Sequence, residues 1–217
     1  TMLPIVSIVG QSQSGKTTLV EQLIGEFKRR GYRVATVKHA CNDFDIDKQG
    51  KDTWRYTEAG SDAVAISAPR RLALVKLQDG NDSIDEILRL LGEDFDIIFI
   101  EGFHQAHVPK IEVYRKELKK DLRCDPGELK AIVSDDTLEV DVPQFSMRDI
   151  PGIAKFIKER IIGKRGDDTL LYVNGSPVIL NQFAKQIFAN ALLGMVSSLK
   201  GVTEVRSLEV AVRKKGI

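Results

Sequence analysis

Residues 4–30, PIVSIVGQSQSGKTTLVEQLIGEFKRR, decide the fold of this chain. The apolar run PIVSIV predicts a buried strand, and the stretch 16–30 predicts an amphipathic helix, because leucine or phenylalanine recurs there every fourth residue. Between them, residues 10–17 read GQSQSGKT and fit the pattern GxxxxGK followed by Ser or Thr. Because the pattern falls between a strand and a helix, it predicts a phosphate-binding P-loop rather than a chance glycine-rich loop.

Each part of this loop has an expected role toward a nucleoside triphosphate. Glycines let the backbone fold around an anion, and successive N–H groups and the helix N-terminus present the positive ends of dipoles. Lys16 is expected to reach the β- and γ-phosphates, and the Thr17 hydroxyl to ligate Mg²⁺. The loop residues expected to bind the nucleotide are Gly10, Ser12, Ser14, Gly15, Lys16 and Thr17.

The run DIIFIEGF, residues 96–103, supplies the second acidic group that such a site requires near its metal. Glu101 follows the carboxyl end of an apolar strand, where ligands gather in parallel sheets, whereas Asp96 begins that strand at the opposite edge. Glu101 is therefore the expected second metal residue, the alternative being a surface acid at a strand end. Lys16 and Glu101 are the residues expected to act in any phosphoryl chemistry.

The segment 38–52, KHACNDFDIDKQGKD, is too polar to belong to the core. It leaves the carboxyl end of a strand beside the P-loop, so Asp43, Asp45 or Asp47 is a candidate for the metal and Lys51 for the phosphates. The alternative is a solvated loop with Asp52 as a helix N-cap.

Apolar runs alternate with amphipathic stretches over residues 1–166, which predicts an α/β fold of the P-loop NTPase type, a mostly parallel sheet flanked by helices. Further strands are expected at 33–38, 63–66, 72–75, 96–100, 110–114 and 130–134, and further helices after a capping box at Ser83 and at Pro151. The charged stretch 115–129 between two of these strands reads as a solvated loop.

A linker, GKRGDD, separates this P-loop domain, residues 1–166, from an appendage over residues 167–217. A hairpin turned at Asn174-Gly175, a helix from Asn181 and an alternating strand over 205–212 predict a small ββαβ unit there. We expect this unit to serve in docking or dimerisation.

The amino-acid composition argues against several classes of partner and site. The 217 residues carry 32 Lys+Arg against 31 Asp+Glu, and this net charge of +1 argues against nucleic acid as a partner. Two cysteines without a CxxC pair and three histidines without ligand spacing argue against structural zinc. No apolar run reaches the roughly 18 residues of a membrane span, and no signal peptide is recognisable, so a cytoplasmic protein is expected.

Four stretches within residues 4–162 resemble the MobB family of molybdopterin guanine dinucleotide biosynthesis, P-loop proteins of the signal-recognition and MinD class. They are IVGQSQSGKTTL, VKHACNDFDIDKQGKDTWRYTEAGSDAVAISAPRRLALV, DIIFIEGF and AIVSDD, in the family's order. The resemblance implies a homodimer that binds GTP with Mg²⁺, hydrolyses it weakly at most, and associates with MobA, the guanylyltransferase that attaches GMP to molybdopterin. Molybdoenzymes or molybdopterin itself are further implied partners.

The resemblance also implies roles for particular residues. Phosphate contacts would come from Gly15, Lys16, Thr17 and Thr18, with Glu101 near the metal. The acidic loop facing the nucleotide or pterin would include Asp45, Lys51 and Asp52. For guanine, a carboxylate must accept from N1–H and the 2-amino group, and Asp135 is chemically suitable, although a turn-forming Asp-Asp pair is the alternative.

Two other functions use the same loop. A small-molecule kinase would need an acceptor pocket and a base, for which Asp45 or Asp47 is a candidate. A metallochaperone GTPase is the third possibility, and the scarcity of His and Cys argues against a metal store.

Overall fold

A computed structural model describes residues 4–40, 44, 46–78, 84–92, 94–118, 121–163, 169, 171–173, 176–205, 208 and 210–212. The strands are β1 Ile5–Gly10, β2 Val34–Lys38, β3 Ala63–Ala68, β4 Arg71–Lys76, β5 Ile97–Glu101, β6 Lys110–Val113, β7 Leu129–Val133, β8 Gln144–Phe145, β9 Leu171–Val173 and β10 Ser176–Val178. The helices are α1 Lys16–Arg29, α2 Asp52–Glu58, α3 Ile84–Leu91, α4 Ile150–Ile157 and α5 Gln182–Ser197. Of these helices, none is long and apolar enough to cross a membrane.

The main sheet has six strands in the order β2-β5-β1-β6-β7-β8, and every neighbouring pair is parallel. The α/β class and the predicted strands of this sheet are confirmed to within one residue at each end, except that the two-residue β8 was not predicted. Because all strands run the same way, the segments that follow them meet at one edge. The loop after β1 lies between those after β5 and β6.

One face of the sheet is covered by α1 and α4. Leu19, Leu23 and Phe27 of α1 are fully buried, as the fourfold spacing predicts, and they pack with Ile153 and Ile157 of α4. On the other face, α3 packs near β2 and β5 through Leu88. The β6–β7 part of that face is covered by the segments after β6 and β7 instead of a helix.

The segment after β6 is anchored by a carboxylate inside the sheet. Glu112 of β6 is only 1% exposed, and it accepts hydrogen bonds from the backbone N–H groups of Arg123 (2.6 Å) and Cys124 (3.0 Å). Burial, and then the Glu112 carboxylate, raise the pKa of the Cys124 thiol. The expectation of a solvated loop over 115–129 is therefore wrong at Cys124, because backbone donors here find their acceptor inside the sheet.

The strands predicted at 63–66 and 72–75 form the antiparallel hairpin β3–β4, with Pro69 and Arg70 at its turn. It is a separate two-stranded sheet. The capping box at Ser83 lies outside the described residues.

In the appendage, β9 and β10 pair antiparallel, and Asn181 caps α5 by accepting from the Ala184 N–H at 2.8 Å. The turn Asn174-Gly175 lies outside the described residues. The strand predicted over 205–212 is wrong for the described residues of that stretch, which form no regular structure. Alternating apolar residues form a strand only where a neighbour offers unpaired backbone groups, and the β9–β10 sheet stays two-stranded.

Replacing Glu112 with alanine is expected to lower the free energy of unfolding by about 2–4 kcal/mol, because two backbone N–H groups lose their acceptor. Urea denaturation measures this change. The matched control is Glu117→Ala, at an exposed glutamate of the segment after β6, expected to change stability by less than about 0.5 kcal/mol. Equal losses in the two variants would contradict the anchoring role.

Candidate nucleotide site

The loop between β1 and α1 is shaped by glycines at both ends. Gly10 has φ 139°, and a Cβ there would lie 2.3 Å from the Val113 carbonyl oxygen. Gly15 has φ 102° and is the N-cap of α1. Ser14 Oγ is buried, and among the described residues it has no hydrogen-bond partner. A loop of this shape, with an unsatisfied hydroxyl and the N-terminus of a 14-residue helix, fits a bound phosphate.

Lys16 folds back over this loop, and its Nζ donates to the Gln11 carbonyl oxygen at 2.5 Å. Burial lowers the pKa of Lys16, Glu101 opposes that effect, and the neighbouring charges of Arg123 and Lys38 lower the pKa further. The Lys16 ammonium is thus influenced by one carboxylate and two further cations, which together with Lys16 give a local excess of positive charge. Such a field favours binding of a polyanion.

Thr17 and Glu101 are in direct contact. The Thr17 hydroxyl lies 3.0 Å from both Glu101 carboxylate oxygens, and Lys38 Nζ lies 3.9 Å from one of them. A hydroxyl and a carboxylate are the hard oxygen ligands that Mg²⁺ takes in proteins, alongside water and phosphate oxygens. Asp96 lies at the other end of β5, where it accepts from the Arg33 N–H at 2.7 Å. Metal binding by Thr17 and Glu101 stays a prediction.

Among the described residues, no group of three or more His, Cys, Asp or Glu could hold a metal ion. The described protein groups alone therefore do not form a closed metal site. Any Mg²⁺ ligands beyond Thr17 and Glu101 would come from the nucleotide and water.

A cavity of about 260 Å³ opens beside Lys16 and Glu101, and its walls include His39, His104 and Arg123. The rings of His39 and Phe103 are 4.3 Å apart between centroids. Burial, followed by the charge of Arg123, lowers the pKa of His104. Sequence reasoning did not single out His104 or Arg123. One signal was available in the sequence: a glutamate, Glu112, within an apolar strand. A buried carboxylate needs hydrogen-bond donors, and here the segment that carries Arg123 supplies them.

A larger cavity of about 540 Å³ lies among the segments that follow β6 and β7. Its polar walls include Lys116, Asp121, Asp136 and Glu139, and it contains no residue of the P-loop. The smaller cavity is therefore the one adjacent to the expected phosphate chemistry.

Asp135 and Asp136 follow β7 but have different surroundings. Asp136 behaves as a turn residue: its N–H donates to Ser134 Oγ at 2.9 Å, and its carboxylate accepts from the Lys116 N–H at 3.3 Å. Asp135 is exposed and accepts from Ser146 Oγ, after β8, at 3.1 Å.

The segments after β6 and β8 also border the P-loop. Arg115 Nε donates to the Ser14 carbonyl at 2.9 Å, and Met147 Cε is 3.1 Å from where a Cβ on Gly15 would stand. Asp135 is hydrogen-bonded to Ser146 in the segment after β8, and it therefore lies at the same edge of the sheet as the P-loop. Its role toward guanine stays a prediction.

The acidic segment before α2 is only partly described, and Asp43 and Asp45 lie outside the described residues. Asp47 Oδ1 accepts from Thr53 Oγ1 and from the Lys48 N–H, both at 2.8 Å, which ties it to the start of α2. Lys51, and not Asp52, is the N-cap of α2.

Lys51 and Asp52 are both exposed. Asp52 lies 3.9 Å from Arg55 within the same helix, and the Lys51 carbonyl accepts from the Arg55 N–H at 3.0 Å. These contacts are internal to α2. The roles of Lys51 and Asp52 toward a ligand stay predictions.

Comparison with known proteins gives consistent matches. The family model of molybdopterin guanine dinucleotide synthesis protein B matches residues 5–135. The molybdopterin-guanine dinucleotide biosynthesis adapter protein of Haemophilus influenzae is 36% identical over 157 residues, which are 72% of this chain and 88% of that protein. A crystal structure of molybdopterin-guanine biosynthesis protein B is 30% identical with a TM-score of 0.59, covering 72% of this chain and 98% of its own.

A relative from Methanocaldococcus jannaschii is 26% identical over 234 residues, covering 96% of this chain and 97% of its own length. An alignment that covers 96% of this chain must include most of the appendage, residues 167–217. At least one relative therefore has a counterpart of the appendage. The family match itself includes the P-loop, Glu101 and Asp135. This chain therefore belongs to the MobB family.

Proposed function

We propose that the chain is an adapter protein of molybdopterin-guanine dinucleotide biosynthesis that binds Mg²⁺ and GTP at the loop between β1 and α1. Family membership supports the pathway, because the Haemophilus influenzae relative carries that adapter name. The observation that carries the nucleotide proposal is the contact of Thr17 with both Glu101 oxygens beside Lys16.

In this proposal the loop amides and Lys16 bind the phosphates, while Thr17 and Glu101 hold the metal. Bound Mg²⁺ would neutralise charge on the β- and γ-phosphate oxygens. Glu101 already contacts Thr17 and Lys38, which favours a metal-holding role over that of a general base. Hydrolysis would accordingly be weak, and nucleotide binding would serve a partner such as a MobA-like guanylyltransferase.

We also propose two units, residues 1–166 and 167–217, in a homodimeric protein. The β3–β4 hairpin exposes Ile66 and Leu72, and α5 exposes Phe183 and Met195, each more than half exposed. Two-stranded sheets are marginally stable alone, and exposed apolar faces favour association. The appendage would thus take part in dimerisation or docking.

GTP should bind at least about tenfold more tightly than ATP in the presence of Mg²⁺, since Asp135 can pair with the guanine donors. Fluorescence titration with labelled nucleotides measures both affinities. Lys16→Ala should abolish binding, whereas Lys28→Ala, exposed near the end of α1, should not. Comparable affinities for GTP and ATP would contradict the proposal that the site selects guanine.

The adapter role is tested by capturing partners on the full chain with GTP bound. Recovery of a molybdopterin-linked nucleotidyltransferase supports the proposal, with Lys16→Ala as the control for nucleotide dependence. A phosphorylated small molecule formed in step with nucleotide loss would instead establish a kinase.

Thr17→Val and Glu101→Gln should each remove most of the effect of Mg²⁺ on nucleotide affinity, because the first loses an oxygen ligand and the second loses the negative charge that attracts the metal. The readout is affinity with Mg²⁺ compared with affinity in a chelator. Thr203→Val, at an exposed threonine of the appendage, is the control. If the Mg²⁺ effect survives in both site variants, the metal lies elsewhere.

Asp135→Asn should weaken GTP binding by about 10- to 100-fold and favour xanthosine triphosphate, because the asparagine amide can donate to the xanthine C2 carbonyl. The neighbouring Asp136→Asn should leave this preference unchanged. Competition titrations with the two nucleotides compare the variants. A switch caused by Asp136→Asn and not by Asp135→Asn would reverse the assignment.

A further inference from the structure

Arg123 faces the cavity beside the P-loop without belonging to any part of the P-loop motif. It comes from the segment after β6, yet it shares the 260 Å³ cavity with Lys16, Glu101 and His104. Its charge is close enough to Lys16 to lower the pKa of that ammonium. Lys16 and Arg123 therefore border the same cavity beside the P-loop.

The position of Arg123 is fixed by the core. Glu112 accepts from the Arg123 and Cys124 N–H groups, and in the sheet Glu112 is paired with Val9, the residue before Gly10. Cys124, next in the chain, is buried in a cluster that also contains Val9. The backbone carrying Arg123 is thus tied to the strand that carries the P-loop.

The charge balance of the cavity favours an anion. Among the described residues that line the cavity, Glu101 is the one acid, and its carboxylate already contacts Thr17 and Lys38. Holding Lys16 and Arg123 together costs free energy through repulsion, and a phosphate between them would remove that cost. An arginine guanidinium can form paired hydrogen bonds to phosphate oxygens, which a single ammonium cannot.

We infer that Arg123 binds the terminal phosphate of the nucleotide, so that the site distinguishes a nucleoside triphosphate from a diphosphate, with Glu112 as the residue that positions it. This inference rests on the proposed nucleotide function and assigns a residue to it from outside the P-loop. The amides and lysine of a P-loop cradle the β-phosphate, so in this arrangement Arg123 would have no role toward a diphosphate.

The test compares the affinities of the full chain for GDP and for a non-hydrolysable GTP analogue, both with Mg²⁺. Arg123→Gln should weaken binding of the analogue at least about tenfold, the value of one charge-assisted phosphate contact, and change GDP binding by less than about threefold. Arg123→Lys should recover part of the loss. Arg70→Gln, at the exposed hairpin turn, should match the wild type.

Three results would overturn the inference. If Arg123→Gln weakens both nucleotides equally, its role is structural, and if it changes neither, it does not contact the phosphate. Both results leave the proposed function intact, provided that Lys16→Ala abolishes binding. If the wild-type chain binds neither nucleotide, the proposed function fails and the inference fails with it.

Discussion

Strand β1 is hydrogen-bonded to a parallel strand on each side, and the rest of the structure depends on that placement. Residues Ile5 to Gly10 are all buried between β5 and β6. At Gly10 the Val113 carbonyl of β6 leaves no space for a side chain, so the backbone turns there and opens into the loop. The same pairing brings Glu101, at the end of β5, beside Thr17 at the start of α1.

Three buried polar side chains in or next to the sheet, Ser7, Glu112 and Ser134, hold the loops at its carboxyl edge. Ser7 Oγ donates to the Gly102 carbonyl at 2.5 Å, and Glu112 accepts from the segment that carries Arg123. Ser134 Oγ accepts from the Asp136 N–H and fixes the turn after β7. A polar group inside a core must be satisfied, and for these three side chains the partner is a loop at the carboxyl edge. The strands therefore hold the loops of the site in position.

The sequence was sufficient for features encoded locally and insufficient for those created by tertiary contact. Apolar runs and the spacing of Leu19, Leu23 and Phe27 predict the strands and α1, because burial on one face imposes that periodicity. Arg123 was not predicted, since it lies in the highly charged stretch 115–129 and its anchor, Glu112, lies in a different element. The prediction of a strand over 205–212 was wrong for the converse reason: the local pattern is present, but the described residues have no partner strand.

The strand order also governs how the protein acquires its structure during synthesis. The neighbours of β1 are β5 and β6, and β2 pairs with β5, so the main sheet gains no pair until β5 has been made. Until then the apolar β1 has no partner strand, and β3–β4 is the sheet pairing available to the chain. Thr17 and Glu101 are separated by 84 positions in the sequence, so nucleotide cannot assist the earliest stages. Long-range pairing of this kind slows folding and leaves apolar segments such as β1 exposed until their partner strands have been made.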